Sequence, residues 1–190
     1  VIRQQVAGFL EHARNRGAIL YYDVNFRASH EHEKIKLMSN IMENMEYADI
    51  VRGSSEDFAI LYNKTDAEAI YKSQISFYTK KFIYTSGSAP VILKADGGFS
   101  KQYAVESAST VSTIGAGDNF NAGVIFGLLK HGITREHIDN GLTEEQWDGI
   151  IGCAMRFSAN VCKSINNYVD NEFANAMQRE MSDFIEENNK

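Results

Sequence analysis

Apolar positions follow two alternating patterns along the first half of the chain. Three stretches repeat apolar residues every three or four positions, which is typical of amphipathic helices. These stretches fall near residues 1–15, 32–46 and 66–79. The runs that follow them are short and continuously apolar, as in buried strands. These runs fall at 18–22, 49–52 and 82–85. The order predicts an α/β fold, a doubly wound and mostly parallel sheet with helices on both faces.

The second half begins with a hairpin signal and continues as helix. Two extended runs, 90–94 and 101–106, flank the turn-forming sequence Asp96-Gly97-Gly98. They predict antiparallel strands late in the sheet, at its edge. Helical spacing then returns near 116–131, 143–164 and 171–187. Ser54 with Asp57, and Thr143 with Gln146, have the spacing of capping boxes, so we expect helices to begin just after Ser54 and Thr143.

Composition and charge narrow the function classes. The chain has 190 residues and a net charge of -6, which argues against a nucleic-acid partner because such a partner requires a basic face. It contains no apolar run of about 18 residues and no signal-peptide pattern, so we predict no membrane span and a cytoplasmic location. The length fits one domain, 1–190. Because residue 1 lies inside a helix that feeds the sheet, we expect an N-terminal portion of this domain to be absent from the chain.

The strongest chemical signal is Gly115-Ala116-Gly117-Asp118, which leads into an apolar helix. Glycines at a helix start allow several backbone N–H groups to converge, and such a place binds phosphate or a developing oxyanion. A carboxylate at the same spot can take a proton from an attacking hydroxyl. From these residues alone, the alternative is a glycine turn whose aspartate is favoured by the helix dipole.

Together with Thr113 and Phe120, this stretch resembles the C-terminal signature of the PfkB, or ribokinase-like, carbohydrate kinases. Three other stretches resemble segments of the same family in the same order. They are 23–27, similar to its Asp-x-Asn-x-Arg segment; 48–56, similar to the strand and turn that end in its Asn-x-x-Glu; and 85–87, similar to its nucleotide-contacting Thr-x-Gly. The matches extend over residues 20–170, approximately, and identify the chain as the C-terminal portion of such a kinase.

The resemblance implies an ATP-dependent transfer of the γ-phosphoryl group to a sugar hydroxyl. The roles that it implies are the following: Asp118 as catalytic base; Gly115, Ala116 and Gly117 as anion hole; Thr85, Gly87 and Asn160 as nucleotide contacts; Asn25 and Arg27 as contacts to substrate or phosphate; and Glu56 as a water-mediated Mg²⁺ ligand. The resemblance leaves fructose, ribose, 2-keto-3-deoxygluconate and a nucleoside open as acceptors, with fructose slightly favoured by analogy alone. The family's lid and acceptor-binding segment lie in the part that we expect to be absent. Because the family commonly dimerises through this lid, the resemblance also implies a possible homodimer.

Three positions depart from the family pattern. Ser112 stands where an aspartate usually helps to hold a monovalent cation, which puts K⁺ dependence in doubt. Gly53 replaces the asparagine of Asn-x-x-Glu, and Pro90 replaces a second glycine after Gly87. These departures motivate an alternative, a non-catalytic protein that binds a nucleotide or a sugar phosphate. The retained Asp118 argues against this alternative, because a binding protein needs no base there.

Overall fold

The computed structural model describes residues 2–106 and 110–188, and they form two compact units. The first unit contains the described residues up to Val105, together with Thr134–Gly141. The second contains Glu106–Ile133 and the described residues from Leu142 onward. The assignment of residues 1–190 to one domain stays a prediction. No helix within the described ranges has both the length and the apolar character that a membrane crossing requires.

The first unit is built on a five-stranded mixed sheet whose strands lie side by side in chain order. The strands are β1 (Tyr21–Asp23), β2 (Ile50–Ser54), β3 (Lys81–Thr85), β4 (Val91–Lys94) and β5 (Ser100–Tyr103). β1, β2 and β3 are parallel, whereas β4 and β5 are antiparallel to their neighbours. The predicted combination of a parallel core and late antiparallel edge strands is therefore confirmed.

Helices connect these strands and make up most of the second unit. In chain order they are α1 (Ile2–Asn15), α2 (Lys34–Tyr47), α3 (Ser55–Tyr62), α4 (Ala67–Ile70), α5 (Ala116–Lys130), α6 (Arg135–Asn140), α7 (Glu144–Val161) and α8 (Asn171–Asn188). A 3₁₀ turn precedes α2, and a π-helical turn continues α4. Both predicted capping boxes are present, at Ser54 and at Thr143, because in each pair the side chains and backbone amides bond reciprocally.

Two elements differ from the sequence prediction for identifiable reasons. The helix predicted over 66–79 is α-helical only to Ile70, and the hydroxyl of Ser73 bonds to the carbonyl of Ala69 at 2.6 Å. Such side-chain bonds compete with the helical ladder. Helix α6 was not predicted, because its capping box pairs Thr134 with a histidine rather than with Glu or Gln. It is held to its unit by an ion pair of 2.7 Å between Arg135 and the buried Asp49.

In the second unit, α5 and α7 pack backbone to backbone. A Cβ atom built on Gly123 would lie 2.5 Å from the Cα atom of Ala154. A Cβ on Gly127 would lie 2.7 Å from the Cα atom of Ile150. The helices approach this closely only because neither residue has a side chain. The packing fixes the start of α5, where the glycine sequence lies.

His131, at the end of α5, makes the stability of this packing depend on pH. Its ring packs against Gly149 of α7 and edge-to-face on Phe184 of α8, with the centroids 5.5 Å apart. Burial, and secondarily the charge of Lys130, lowers the pKa of His131 below its usual value. The unfolded chain therefore binds this proton more readily, and stability declines as the pH falls below about 6.5.

We expect the free energy of unfolding, measured by urea titration, to fall between about pH 7.5 and about pH 5.5. A His131→Gln variant should lose part of this slope. The carboxylate of Glu180, whose pKa is lowered to about 2 chiefly by its bond to Arg156, contributes only at more acidic pH. An equal slope in the variant and the unmodified chain would contradict the assignment to His131.

Candidate functional site

The carboxyl ends of the three parallel strands meet at one edge of the first unit's sheet. Asp23 ends β1, Ser54 ends β2 and Thr85 ends β3, and in the register Asp23 faces Arg52 while Ser54 faces Thr85. Ligands of open α/β sheets bind outside this kind of edge. The predicted residues Asn25, Arg27, Glu56, Thr85 and Gly87 all follow or end these strands, so the fold brings them to the same edge.

Arg52, on β2, forms side-chain hydrogen bonds to the last residues of both neighbouring strands, β1 and β3. Its side chain is buried, and its Nη1 atom donates to Asp23 Oδ1 at 3.0 Å. Its Nη2 atom donates to Thr85 Oγ1 at 2.6 Å. The Thr85 oxygen is thereby fixed as an acceptor, which leaves its O–H as a donor. Sequence reasoning singled out Thr85 but not the guanidinium that orients it.

Asn25 and Arg27 lie in the segment after β1, and their burial alternates with that of their neighbours. Val24 and Phe26 are buried, whereas Asn25 and Arg27 are exposed. The strand ends at Asp23, but this alternation still directs the two predicted side chains away from the core. Asn25 has a φ of 39°, a left-handed conformation that asparagine tolerates better than most residues.

The turn between β2 and α3 separates two neighbouring carboxylates. Asp57 is buried and accepts hydrogen bonds from Phe26 N at 2.7 Å, Ser54 N at 2.6 Å and Ser54 Oγ at 2.7 Å. Glu56 is exposed in the first turn of the same helix. Asp57 therefore connects this turn to the segment that carries Asn25 and Arg27, while Glu56 faces solvent, where a hydrated metal ion has access.

Removing the Asp57 carboxylate is expected to destabilise the fold much more than removing that of Glu56. Asp57→Ala leaves the buried Phe26 N–H unsatisfied and removes the carboxylate half of the capping box of α3, so we expect a loss of about 2 kcal/mol in the free energy of unfolding. Glu56→Ala, at an exposed site, should change it by no more than about 0.5 kcal/mol. Chemical denaturation measures both. Equal losses in the two variants would refute this division of roles.

The glycine that departs from Asn-x-x-Glu has a steric cause in this structure. A Cβ atom on Gly53 would lie 2.5 Å from Cζ and 2.6 Å from Cε2 of Phe58, whose ring is fully buried. The ring occupies the space that an asparagine side chain would need. Gly87 differs, since it lies in an exposed turn with a φ of 50° and open space around it.

In the second unit, the predicted anion-binding sequence forms the N-terminus of α5. Gly115 is the N-cap residue with a φ of 80°, a conformation that favours glycine. The N–H of Ala116 donates to Thr113 O at 3.1 Å, so this amide has an acceptor within the loop. The amides of Gly117 and Asp118 fall in the first turn, where N–H groups have no acceptor in their own helix.

Asp118 occupies the third position of α5, and its side chain is exposed. Its carboxylate therefore stands beside amide groups that can bind an anion, at the positive end of the helix dipole. Ser112, the residue that replaces the family's aspartate, accepts a bond from Ile114 N at 3.2 Å and so shapes the loop before Gly115.

Asn160, near the end of α7, bonds through both ends of its amide to Asp170. Its Nδ2 atom donates to Asp170 Oδ2 at 2.8 Å, and its Oδ1 atom accepts from Asp170 N at 3.1 Å. These bonds close the segment 161–170 into a loop. The loop borders a cavity of about 300 Å³, a volume at the lower end of the range for small-molecule sites. The cavity is lined by Asn160, Lys163, Ser164, Asn166, Tyr168, Asp170 and Asn171.

The described residues contain no group of three or more His, Cys, Asp or Glu side chains that would hold a metal ion by themselves. Mg²⁺ at kinase sites is commonly held by one or two carboxylates, substrate phosphates and water. An exposed single carboxylate such as Glu56 fits this kind of coordination, whereas an all-protein cage is not present in these ranges.

Comparison with known proteins identifies the family to which the chain belongs. The model of the pfkB family carbohydrate kinase matches residues 2–143. A curated relative, 5-dehydro-2-deoxygluconokinase from Geobacillus thermodenitrificans, is 25% identical over 132 residues, which cover 67% of this chain and 39% of that protein. Fructokinase from Klebsiella pneumoniae is 28% identical over 125 residues, covering 65% of this chain and 40% of that protein. The alignments thus span well under half the length of these relatives.

Solved structures extend the likeness beyond residue 143. Aminoimidazole riboside kinase from Salmonella enterica gives a TM-score of 0.71 at 18% identity, over 92% of this chain and 56% of that one. Fructokinase from Xylella fastidiosa, solved with bound ATP, gives 0.69 at 19% identity, over 100% of this chain and 58% of that one. At these identities the likeness establishes the fold. Together with the family match, it shows that the chain belongs to the pfkB family of carbohydrate kinases.

Proposed function

We propose that this chain performs the nucleotide-binding and phosphoryl-transfer part of an ATP-dependent sugar kinase reaction. The observation that carries the proposal is the start of α5, where an exposed carboxylate, Asp118, adjoins first-turn amides at a left-handed glycine. A base and an anion site at one helix terminus suit the attack of a hydroxyl on a phosphoryl group.

In this mechanism Asp118 accepts the proton of the sugar hydroxyl as its oxygen forms a bond to the γ-phosphorus. The bond between the γ-phosphorus and the β–γ bridging oxygen breaks at the same time, and ADP leaves with the electron pair. The amides of the anion hole, Gly115, Ala116 and Gly117, stabilise the charge on the transferring phosphoryl oxygens. Gly117 is the best placed of the three, since Ala116 already donates within the loop. Preorganised donors of this kind and correct positioning provide most of the rate in phosphoryl transfer.

The metal and nucleotide contacts are proposed from the family resemblance, and each is supported by its own surroundings. Glu56 would hold Mg²⁺ through water, and bound Mg²⁺ neutralises charge on the phosphate oxygens. Thr85, whose oxygen is oriented by Arg52, and Gly87, in an open turn, are proposed nucleotide contacts. Asn160 contributes by closing the loop around the 300 Å³ cavity as well as by lining it.

The acceptor is proposed to be a sugar or a sugar acid. Asn25 and Arg27 are exposed beyond β1, and a guanidinium suits a carboxylate or phosphate oxygen. The relatives include both a fructokinase and 5-dehydro-2-deoxygluconokinases, whose names specify a neutral sugar and a sugar acid. Fructose keeps the slight preference that the family analogy gave it, and Arg27 is the residue that would favour the acid.

A coupled assay of ADP release tests the proposal. The chain is incubated with Mg·ATP and, separately, with fructose, 5-dehydro-2-deoxygluconate or aminoimidazole riboside. Acceptor-dependent ADP release with one of these compounds supports the kinase function, and loss of that release in Arg27→Ala with the acid alone would assign Arg27 to its carboxylate. ADP release that does not depend on any acceptor would argue against sugar phosphorylation.

A second candidate is a non-catalytic protein that binds a nucleotide or a sugar phosphate. Ser112 and Gly53 favour it, since both replace polar residues of the family pattern and both are built into local structure here. Nucleotide binding without acceptor-dependent turnover, and with no effect of Asp118→Asn, would select this candidate.

A further inference from the structure

Asn119 connects the loop before α5 to the loop after α7. Its Nδ2 group donates to the carbonyl of Gly115 at 2.9 Å and to the carbonyl of Asn167 at 3.0 Å. An amide NH₂ has two hydrogens, so both are used in these bonds. A single side chain thus joins the anion-binding sequence to the segment 161–170, within the second unit.

The two segments are in direct contact at the point that Asn119 spans. A Cβ atom on Gly115 would lie 2.9 Å from the backbone oxygen of Asn167 and 3.0 Å from its Cβ. Earlier in the loop, Val111 N donates to Cys162 O at 2.8 Å. The 161–170 loop is therefore held at its start by Val111, in its middle by Asn119 and at its neck by the Asn160–Asp170 pair.

This arrangement fixes the distance between two places that a nucleotide would occupy together. One is the 300 Å³ cavity that the 161–170 loop borders, and the other is the first turn of α5. Tyr168 lines the cavity and is 63% exposed, so its ring is accessible to a flat heterocycle bound there. A ligand that bridges both places gains affinity from their fixed separation, and this gain is lost if one of them moves.

We propose that Asn119 is a positioning residue that holds the 161–170 loop at a fixed distance from the α5 terminus, so that the adenine and the phosphates of one nucleotide bind simultaneously. This inference rests on the proposed function. It assigns to Asn119 no contact with the reacting atoms. The consequence is specific: without the two donors, each place keeps its own affinity, but their combined action on a single nucleotide is lost.

The test compares three ligands by calorimetry: ADP, which spans both places, tripolyphosphate, which probes the α5 terminus, and adenosine, which probes the cavity. In Asn119→Ala we expect ADP affinity to fall about tenfold or more, since two hydrogen bonds are lost. Tripolyphosphate and adenosine affinities should stay as in the unmodified chain. Asn119→Leu, which fills a similar space but has no hydrogen-bond donors, should give the same three results as Asn119→Ala. Asn175→Ala, at an exposed position of α8, is the matched control.

The outcomes separate this inference from the proposed function. If the unmodified chain binds ADP and Asn119→Ala binds it equally well, the positioning role is wrong while the proposed function stands. If all three ligands weaken to the same degree together with a loss of thermal stability, Asn119 is only structural and the inference is overturned. If the folded, unmodified chain binds no ADP, both the proposed function and the inference fail.

Discussion

Replacing Asp118 by asparagine is expected to lower acceptor-dependent turnover by about 10²–10⁴-fold while leaving ADP affinity unchanged or slightly tighter. The side chain keeps its size and its exposed place in the first turn of α5, but it no longer accepts a proton. Affinity for the anionic phosphates should not suffer, because the variant removes a negative charge beside the amides that bind them. The coupled assay measures turnover, and calorimetry measures ADP affinity.

The control for this variant is Asp183→Asn, which makes the same charge change at an exposed position of α8. It should leave turnover and ADP affinity unaltered. Stability should differ little in either variant, since a carboxylate in the first turn of a helix contributes only about 0.3–1 kcal/mol. Full turnover in Asp118→Asn would remove Asp118 from the mechanism, whatever its effect on stability.

Replacing Gly123 by alanine is expected to lower the free energy of unfolding by about 3 kcal/mol. The new Cβ would lie 2.5 Å from the Cα atom and 3.0 Å from the nitrogen of Ala154, and 2.8 Å from the oxygen of Cys153. These are backbone atoms of α7, which cannot move aside as the end of a side chain can, so the helices must separate. The higher helix propensity of alanine, worth about 1 kcal/mol, offsets only part of this cost.

Gly152→Ala supplies the matched control, because Gly152 also lies within α7 and a Cβ there meets nothing within 4 Å. This variant should gain about 0.5–1 kcal/mol from helix propensity alone. We therefore expect the two variants to change the free energy of unfolding in opposite directions, as measured by urea titration. A Gly123→Ala variant as stable as the unmodified chain would show that α5 and α7 do not pack as closely as described.

Local sequence patterns account for much of the fold. The capping residues Ser54 and Thr143 mark helix starts by short-range hydrogen bonds, and such signals are readable without tertiary knowledge. The hairpin around Gly97 and Gly98 is similarly local, since both residues adopt positive φ. In contrast, α6 is held by a long-range pair between Arg135 and Asp49, and the early end of α4 involves a local bond of Ser73 that no capping or turn pattern indicates.

The candidate site likewise contains residues that the sequence predicts and residues that only the structure reveals. The sequence predicts Asp118 from a short pattern with a chemical reason and Thr85 from the family resemblance, and both assignments stay predictions. The residues that hold the surrounding segments in place were not predicted, since their partners are far along the chain. Asp57 reaches Phe26, and Asn119 reaches Asn167, 48 positions away. K⁺ dependence, homodimer formation and cytoplasmic location depend on features outside these contacts and stay predictions.

The most direct test of the central claim is a calorimetric titration of the unmodified chain with ADP, in the presence and absence of Mg²⁺. We expect saturable ADP binding, because the second unit contains both the amides at the start of α5 and the cavity bordered by the 161–170 loop. The role proposed for the exposed Glu56 predicts that Mg²⁺ raises the affinity for ADP. Absence of binding by a chain that circular dichroism shows to be folded would contradict the claim that the glycine sequence is a working nucleotide site.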